Sequence, residues 1–144
     1  MTVAALLKHK GHDVARVAPT ATIAEVSRTL TARRIGALLV MDAAEQLLGI
    51  ISERDIVRCL SEHGARVLDM TAGQLMTREL QTVTPATRVA RAMAMMTEGR
   101  FRHLPVLEGD RLVGIVSIGD IVKARLMEQE QEVDSLKASV SGSA

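Results

Sequence analysis

Two segments of the chain repeat one order of apolar and polar positions. In the first, apolar residues recur at helical spacing at Ile23, Val26 and Leu30, and nearly continuous apolar runs follow at Ala37–Met41 and Leu48–Ile51. Residues three or four apart share one face of a helix, whereas short apolar runs are typical of strands buried on both faces. The pattern therefore predicts a helix followed by two buried strands.

Shorter elements flank this core of the first segment. We predict an amphipathic helix at Val3–Lys8, a strand at Val14–Val17 and a polar turn at Asp42–Gln46. Thr20 or Thr22 can cap the helix that follows, because a threonine side chain accepts hydrogen bonds from the unpaired amides of the first turn.

The second segment has the same order of elements. Its helix is predicted at Val89–Thr97 and its strands near Thr82–Val83, Leu104–Leu107 and Leu112–Val116, with a tight turn at Glu108–Asp110. Alternating helices and strands of this kind predict a mixed α and β fold.

The residues themselves are also duplicated. Gly49–Arg58 returns as Gly114–Lys123, and the leading segment Thr2–Leu7 is matched by Thr71–Met76. Each copy ends an apolar run with Ser-x-x-Asp. We divide the chain into a first motif with the N-terminal helix (1–60), a linker (61–70), a second motif (71–125) and a C-terminal helical extension (126–144).

The repeated Ser-x-x-Asp has two interpretations. Ser52 and Ser117 stand where helix caps are wanted, and Asp55 and Asp120 complement the positive end of a helix dipole. The same turn can offer a carboxylate and a hydroxyl to a ribose or a phosphate, because unpaired amides at a helix N-terminus attract anions.

The last helix is expected to run well past the repeat. Apolar and amide side chains continue at intervals of three and four residues, an a/d seam of about two to three heptads. The seam is Val122, Leu126, Gln129, Val133, Leu136 and Val140. Packing on the chain's own domain and packing on a second subunit explain it equally well, and Ser139–Ala144 is expected to fray.

Composition excludes several functions. The 144 residues are 47% hydrophobic and 24% charged with a net charge of +1, so electrostatic capture of nucleic acid is not predicted. One Phe and no Trp or Tyr exclude stacking on single strands. The single Cys59 suits a reducing compartment, and no stretch reaches the length of a membrane span. We expect a cytoplasmic protein.

Other candidate chemistry is weak. Cys59 and His63 share a helix face, and His9 and His12 lie three residues apart, but each pair is only half of a zinc site. No third residue orients Cys59 and His63 as a nucleophile pair. Phosphate-binding glycine loops are absent. We therefore expect neither a metal site nor an enzyme.

The doubled motif resembles the CBS domain family. The resemblance rests on hydrophobic-Gly-hydrophobic-hydrophobic-Ser-x-x-Asp closing each copy, and on Phe101–Val106 within the second copy. It covers Thr2 to about Lys123. It implies an α+β, sandwich-like fold of tandem β-α-β-β-α repeats packed through their sheets with pseudo-two-fold symmetry. These motifs look like those of small stand-alone bacterial CBS-pair proteins.

The resemblance also implies a function. CBS pairs bind adenosine nucleotides in clefts between their motifs, so a signal-transduction module for AMP or NAD(H) is expected, usually as a homodimer. With crossed clefts, one implied group is Ser52, Arg54, Asp55, Gln81, Thr82, Phe101, Arg102 and His103. The other implied group is Ser117, Asp120, Ala15, Arg16, Ile35, Gly36 and Ala37.

The two implied groups differ in charge. Arg102 and His103 are cationic or can become so, while their counterparts Gly36 and Ala37 are not. The resemblance therefore favours the Asp55 group for phosphate. Solvated arginines and a buried histidine explain the same residues without a ligand.

Two other functions compete with nucleotide sensing. One is a structural or interaction protein with vestigial clefts that works through its C-terminal helix. The other is a fragment related to IMP dehydrogenase, for which no residues remain to build a catalytic barrel. Binding of adenine nucleotide separates the first of these from the sensing module.

Overall fold

The computed structural model describes the backbone of residues 1–142 and the side chains of residues 1–140. The helices are α1 (Val3–Lys10), α2 (Ile23–Arg33), α3 (Glu53–His63), α4 (Ala72–Leu75), α5 (Val89–Gly99) and α6 (Ile118–Gly142), and a 3₁₀ helix spans Gly64–Asp69. The strands are β1 (Arg16–Val17), β2 (Ala37–Met41), β3 (Leu47–Ser52), β4 (His103–Glu108) and β5 (Arg111–Ser117). The mixed α and β class is confirmed.

The chain forms two compact units. The first-motif unit is Asp13–Leu80, and the second-motif unit combines Met1–His12 with Gln81–Ala144. These boundaries differ from the expected division, because the N-terminal helix α1 belongs with the second motif rather than with the first.

The first-motif unit contains a three-stranded sheet in the order β1-β2-β3. Strand β1 runs parallel to β2, with Arg16 opposite Leu39, and β2 pairs antiparallel with β3 so that Ala37 lies opposite Ser52. Every residue of β2 is buried, as predicted. Strand β3 instead alternates between fully and partly buried residues, so its burial on both faces was wrongly predicted.

The second-motif unit contains the antiparallel pair β4-β5, with His103 opposite Ser117 at one end and Glu108 opposite Arg111 at the other. The strand predicted at Thr82–Val83 is reduced to a single parallel bridge from Val83 to Val106. Methionine and aliphatic side chains from α1, α5, β4, β5 and α6 form the core of this unit.

The leading helices of the repeat each cover a strand glycine. In the second-motif unit, α1 packs on β5, where a Cβ at Gly114 would lie 2.9 Å from a methyl of Leu7. In the first-motif unit, the segment after α4 packs on β3, where a Cβ at Gly49 would lie 2.7 Å from the Thr77 carbonyl oxygen. Glycine permits this close approach because it has no side chain.

The segment predicted as a linker and the C-terminal end of α6 are both helical. In the predicted linker 61–70, α3 runs to His63, and the 3₁₀ helix after it buries Val67 completely in the core of the first-motif unit. The expected fraying after Ser139 is wrong up to Gly142, where α6 still continues. Ser143 and Ala144 lie outside the described residues.

Candidate functional site

Both Ser-x-x-Asp turns form capping boxes. In each, the serine hydroxyl accepts from the aspartate amide, and the aspartate carboxylate accepts from the serine amide. The Ser52 hydroxyl accepts from the Asp55 amide at 3.2 Å, and the Asp55 carboxylate accepts from the Ser52 amide at 2.9 Å. In the second copy, the Ser117 hydroxyl and the Asp120 carboxylate accept at 3.2 and 2.8 Å. The predicted N-cap role of Ser52 is confirmed.

The Asp55 carboxylate is surrounded by donors from its own unit. Its side chain is 8% exposed, and Oδ2 accepts a second bond from the Ser52 hydroxyl at 3.0 Å. Oδ1 accepts from Arg58 Nη2 at 3.0 Å and from the Thr77 hydroxyl at 3.4 Å. A carboxylate has about four acceptor sites, so this group of donors satisfies Asp55 without a ligand.

The Asp120 carboxylate has a different environment. Lys10 Nζ donates to its Oδ2 at 2.6 Å and also to the Ile115 carbonyl oxygen at 2.7 Å. Burial by itself raises the pKa of Asp120, but the hydrogen bonds from Lys10 and from the Ser117 amide, with the charge of Lys10, outweigh it. The pKa of Asp120 is therefore lowered, and the carboxylate is ionised at neutral pH.

Asp120 lies on the wall of a cavity of ≈ 380 Å³ in the second-motif unit. Apolar side chains form part of the lining, and three groups that carry or can carry positive charge join them. The lining residues are Met1, Leu6, His9, Lys10, Asp120, Lys123, Ala124 and Met127. An ionised carboxylate beside cationic groups can bind a ligand that has hydroxyls and a phosphate.

Sequence reasoning did not place His9, Lys10 or Lys123 at this carboxylate. His9 and Lys10 belong to the last turn of α1. Lys10 precedes Asp120 by 110 residues. Three basic residues in a last turn are typical of a helix C-terminus, so local pattern gave them no functional meaning.

Strand register shows which implied residues lie near each serine. In the first-motif unit, Ala37 is opposite Ser52, and the Gly36 carbonyl accepts from the Glu53 amide at 3.0 Å. Ile35 and Gly36 also line a shallow cavity of ≈ 490 Å³ with Arg34 and Glu53. These strand-start residues therefore neighbour Ser52, while Arg54 is exposed on the next turn.

The second-motif unit repeats this arrangement. His103 is opposite Ser117 in the register, and the Arg102 carbonyl accepts from the Ile118 amide at 2.8 Å. Phe101 packs against the core of the unit, whereas Gln81 and Thr82 are exposed. Arg102 and His103 thus lie at the strand end that leads to Asp120.

Ala15, just before β1, and Arg16, in β1, make their contacts with other residues of the first-motif unit. The Ala15 carbonyl accepts from the Leu39 amide at 3.1 Å. The Arg16 guanidinium lies 3.4 Å from a carboxylate oxygen of Glu45 and 3.6 Å from the sulfur of Met41, at the far end of β2 from Ala37. Its contacts are therefore remote from the start of β2.

The charge argument for the Asp55 group rests on Arg54, Arg102 and His103. Within the second-motif unit, the register also places His103 and the preceding Arg102 at the Ser117 end. Lys10 adds a cation at Asp120. The two crossed groups draw on both units and stay predictions.

The remaining sequence candidates form no catalytic or metal cluster in the described part of the chain. Cys59 is buried, and His63 Nδ1 lies 3.1 Å from Arg66 Nη2. No three His, Cys, Asp or Glu residues among those described could together hold a metal ion. Within the same residues, no helix is both long and apolar enough to cross a membrane.

In each motif an antiparallel strand pair with a closely packed glycine leads into a helix that begins with the same capping box, so the fold is a tandem repeat of one α and β unit. The chain belongs to the CBS domain family, whose family model matches residues 9–62 and 72–127. A solved relative, the CBS-domain containing protein ATU1752 from Agrobacterium tumefaciens, is 44% identical with a TM-score of 0.85. The match covers 87% of this chain and 99% of that one.

A curated relative is longer than this chain. The mitochondrial CBS domain-containing protein CBSX3 of Arabidopsis thaliana is 41% identical over 125 residues, which are 84% of this chain and 61% of CBSX3. The expected cytoplasmic location stays a prediction. The structure of CBSX2 in complex with AMP is 24% identical, with a TM-score of 0.72, covers 89% and 98% of the two chains, and shows a shared fold.

Proposed function

We propose that the protein is a non-catalytic regulatory module that binds adenosine nucleotides, with AMP or NAD(H) as the preferred ligand. The observation that carries the proposal is the Asp120 carboxylate, ionised and aligned by a capping box on the wall of a cavity lined with cationic side chains. CBS-pair membership supports it, and the CBSX2 complex suggests AMP as the first probe.

The proposed binding mode divides the ligand between two kinds of group. Ribose hydroxyls donate to the Asp120 carboxylate, and the phosphate is held by Lys10 and Lys123. In the free protein, Lys10 is hydrogen-bonded to Asp120 at 2.6 Å. Binding then moves the Lys10 ammonium from the carboxylate to the phosphate, while the ribose replaces it as a donor.

Asp120 is preferred over Asp55 as the proposed ribose acceptor because its carboxylate accepts fewer hydrogen bonds from the protein. Asp55 is buried and accepts from four donors in its own unit. A ribose at Asp55 would have to displace a donor such as Arg58 or Thr77, and so would replace an existing hydrogen bond rather than add one. Ser52, Arg54 and Asp55 remain a second, weaker proposed site.

A second candidate function is a structural or interaction module that works through α6. The observation that favours it is the row of exposed apolar side chains along this helix, including Leu126 and Leu136. Under this alternative the chain forms a homodimer or binds a protein target and has no ligand.

Calorimetry separates the two candidates. Purified protein, shown to be free of nucleotide by its absorbance at 260 nm, is titrated with AMP, ADP, ATP, NAD, NADH and S-adenosylmethionine. Without Trp or Tyr the protein adds little absorbance at 280 nm, so retained nucleotide is easily detected. Binding of at least one adenosine nucleotide supports the sensing module, and no binding at millimolar concentration refutes it.

A further inference from the structure

Helix α6 has two apolar faces, and only one of them packs on its own unit. Ile121 and Ala124 are buried in the core of the second-motif unit. Val122 and Leu126, on the opposite face, are 51% and 54% exposed. An apolar row on the face of a helix that points away from its own core is typical of a surface that another helix covers.

The rest of the helix extends beyond the core. Every residue from Gln129 to Val140 is exposed, although the helix of 25 residues continues through Gly142. Val133 and Leu136 continue the apolar row over this extension. Because short helices are marginally stable in water without tertiary contacts, an extension of this kind needs a partner to hold it.

We propose that α6 pairs with α6 of a second copy of this chain as a parallel, in-register, two-stranded coiled coil. The heptad spacing puts apolar residues at all three a positions and at two of the three d positions. The a positions are Leu126, Val133 and Val140, and the d positions are Val122, Gln129 and Leu136. Val133 and Val140 at a positions and Leu136 at a d position follow the pattern that favours two strands in a parallel coiled coil.

The charges beside the seam select this orientation. In a parallel pair, a g position lies beside the e position five residues later in the other helix. Arg125 then lies beside Glu130 of the second copy. Glu132 lies beside Lys137 of the second copy, again with opposite charge. The antiparallel alignment that overlaps the same seam instead brings Glu130 to Glu130, Glu132 to Glu132 and Lys123 to Lys137, all like charges.

The Glu132–Lys137 pair gives the sharper test. Arg125 is already paired with Glu128 at 2.9 Å inside its own chain, which weakens its contribution across the dimer. Glu132 and Lys137 are exposed and make no ion pair with the described residues of their own chain. Their charges are therefore available to a second copy.

The experiment reverses these two charges separately in the full chain and measures dimerisation by sedimentation equilibrium. Glu132→Lys and Lys137→Glu each make both interhelical pairs repulsive, so each homodimer weakens about tenfold. An equimolar mixture of the two variants restores about the wild-type affinity as a heterodimer, because one helix then offers only lysines at these positions and the other only glutamates.

Asp134→Lys is the matched control, since it makes the same charge change two residues away at a b position, and it leaves dimerisation within about twofold. A full-length protein that stays monomeric overturns the proposal. So do single reversals that behave like the control, a mixture without heterodimer, or a Lys137→Glu dimer that is tighter than wild type, as antiparallel pairing would give. Nucleotide is absent throughout, so the result does not depend on the proposed ligand.

Discussion

At the scale of single residues, two copies of one motif hold their carboxylates in different ways. Asp55 accepts from Arg58 and Thr77, whereas Asp120 accepts from Lys10, at the C-terminal end of α1, and borders a cavity. The same capping box is therefore compatible with a structural carboxylate in one copy and a ligand acceptor in the other.

Exchanging each carboxylate for an amide tests this difference. Asp120→Asn removes the proposed acceptor of the ribose hydroxyls and should weaken AMP binding by about 1.5–3 kcal/mol, the scale of a hydrogen bond to a charged group. Asp55→Asn, the matched change in the other copy, should lower the stability of the protein and leave AMP affinity nearly unchanged. Calorimetry that finds Asp55→Asn the more damaging to AMP affinity reverses the assignment.

Replacing Lys10 separates phosphate from nucleoside. Lys10→Met removes the proposed phosphate contact and frees the Asp120 carboxylate, so AMP should bind about tenfold more weakly while adenosine binds equally or more tightly. Arg102→Ala, at the neighbouring strand start, should have a smaller effect of the same kind. Equal losses for AMP and adenosine would assign Lys10 a structural role.

The Lys10–Asp120 pair also makes stability depend on pH. The folded-state pKa of Asp120 lies below its ordinary 3.8, so the pair stabilises the fold fully above that value and is lost as pH falls through the folded pKa. Urea unfolding should show Lys10→Met less stable by about 1 kcal/mol at pH 7. The difference should narrow below pH 3.8. A difference that stays constant to lower pH contradicts this linkage.

Sequence pattern predicted the local part of the site and missed the distant part. The caps Ser52 and Ser117 follow from a Ser at the end of an apolar run, because a cap depends on neighbours along the chain. Lys10 lies 110 residues from Asp120, and only the packing of α1 brings the two together. No periodicity encodes a contact of that kind.

At the scale of elements, the leading helices α1 and α4 each belong to the unit that their order in the sequence does not indicate. Helix α1 lies in the second-motif unit and α4 in the first-motif unit. Helix α1 begins with Val3 and Ala4 donating to carbonyls of Thr87 and Pro85 at 2.8 and 2.9 Å, in the second-motif unit. The duplication did show that these helices are equivalent. Which core each helix packs on depends on the path of the chain, and an amphipathic pattern does not specify that path.

The two strand glycines provide a test of this packing. At Gly49 a Cβ would lie 2.7 Å from a backbone carbonyl oxygen, and at Gly114 it would lie 2.9 Å from a leucine methyl. Because a side chain moves more easily than backbone, Gly49→Ala should destabilise by about 2–3 kcal/mol and Gly114→Ala by about 1 kcal/mol. Equal losses in urea unfolding would mean that the segment after α4, which contains Thr77, moves as readily as Leu7.

At the scale of the whole molecule, duplication made most of the fold predictable. Helix α2 and strand β2 were predicted from one copy, and their counterparts α5 and β4 agreed with them. A helix that runs past the repeat was also predicted from the continued spacing, although α6 extends to Gly142 instead of fraying from Ser139. The proposed cover of its seam is a second copy of the chain, and the contacts within one chain do not include that interface.

Removing the extension tests whether assembly and ligand binding are separate. Truncation after Glu128 keeps the pairs from Glu128 to Arg125 and to the N-terminal amine, at 2.9 and 3.3 Å, and keeps the Asp120 cavity. It deletes the exposed Val133 and Leu136, each worth about 1.5–3 kcal/mol when buried against a partner. Light scattering should show a dimer at least tenfold weaker. Calorimetry should show unchanged AMP affinity per chain, and a truncated dimer as stable as the full one would confine α6 to contacts within its own chain.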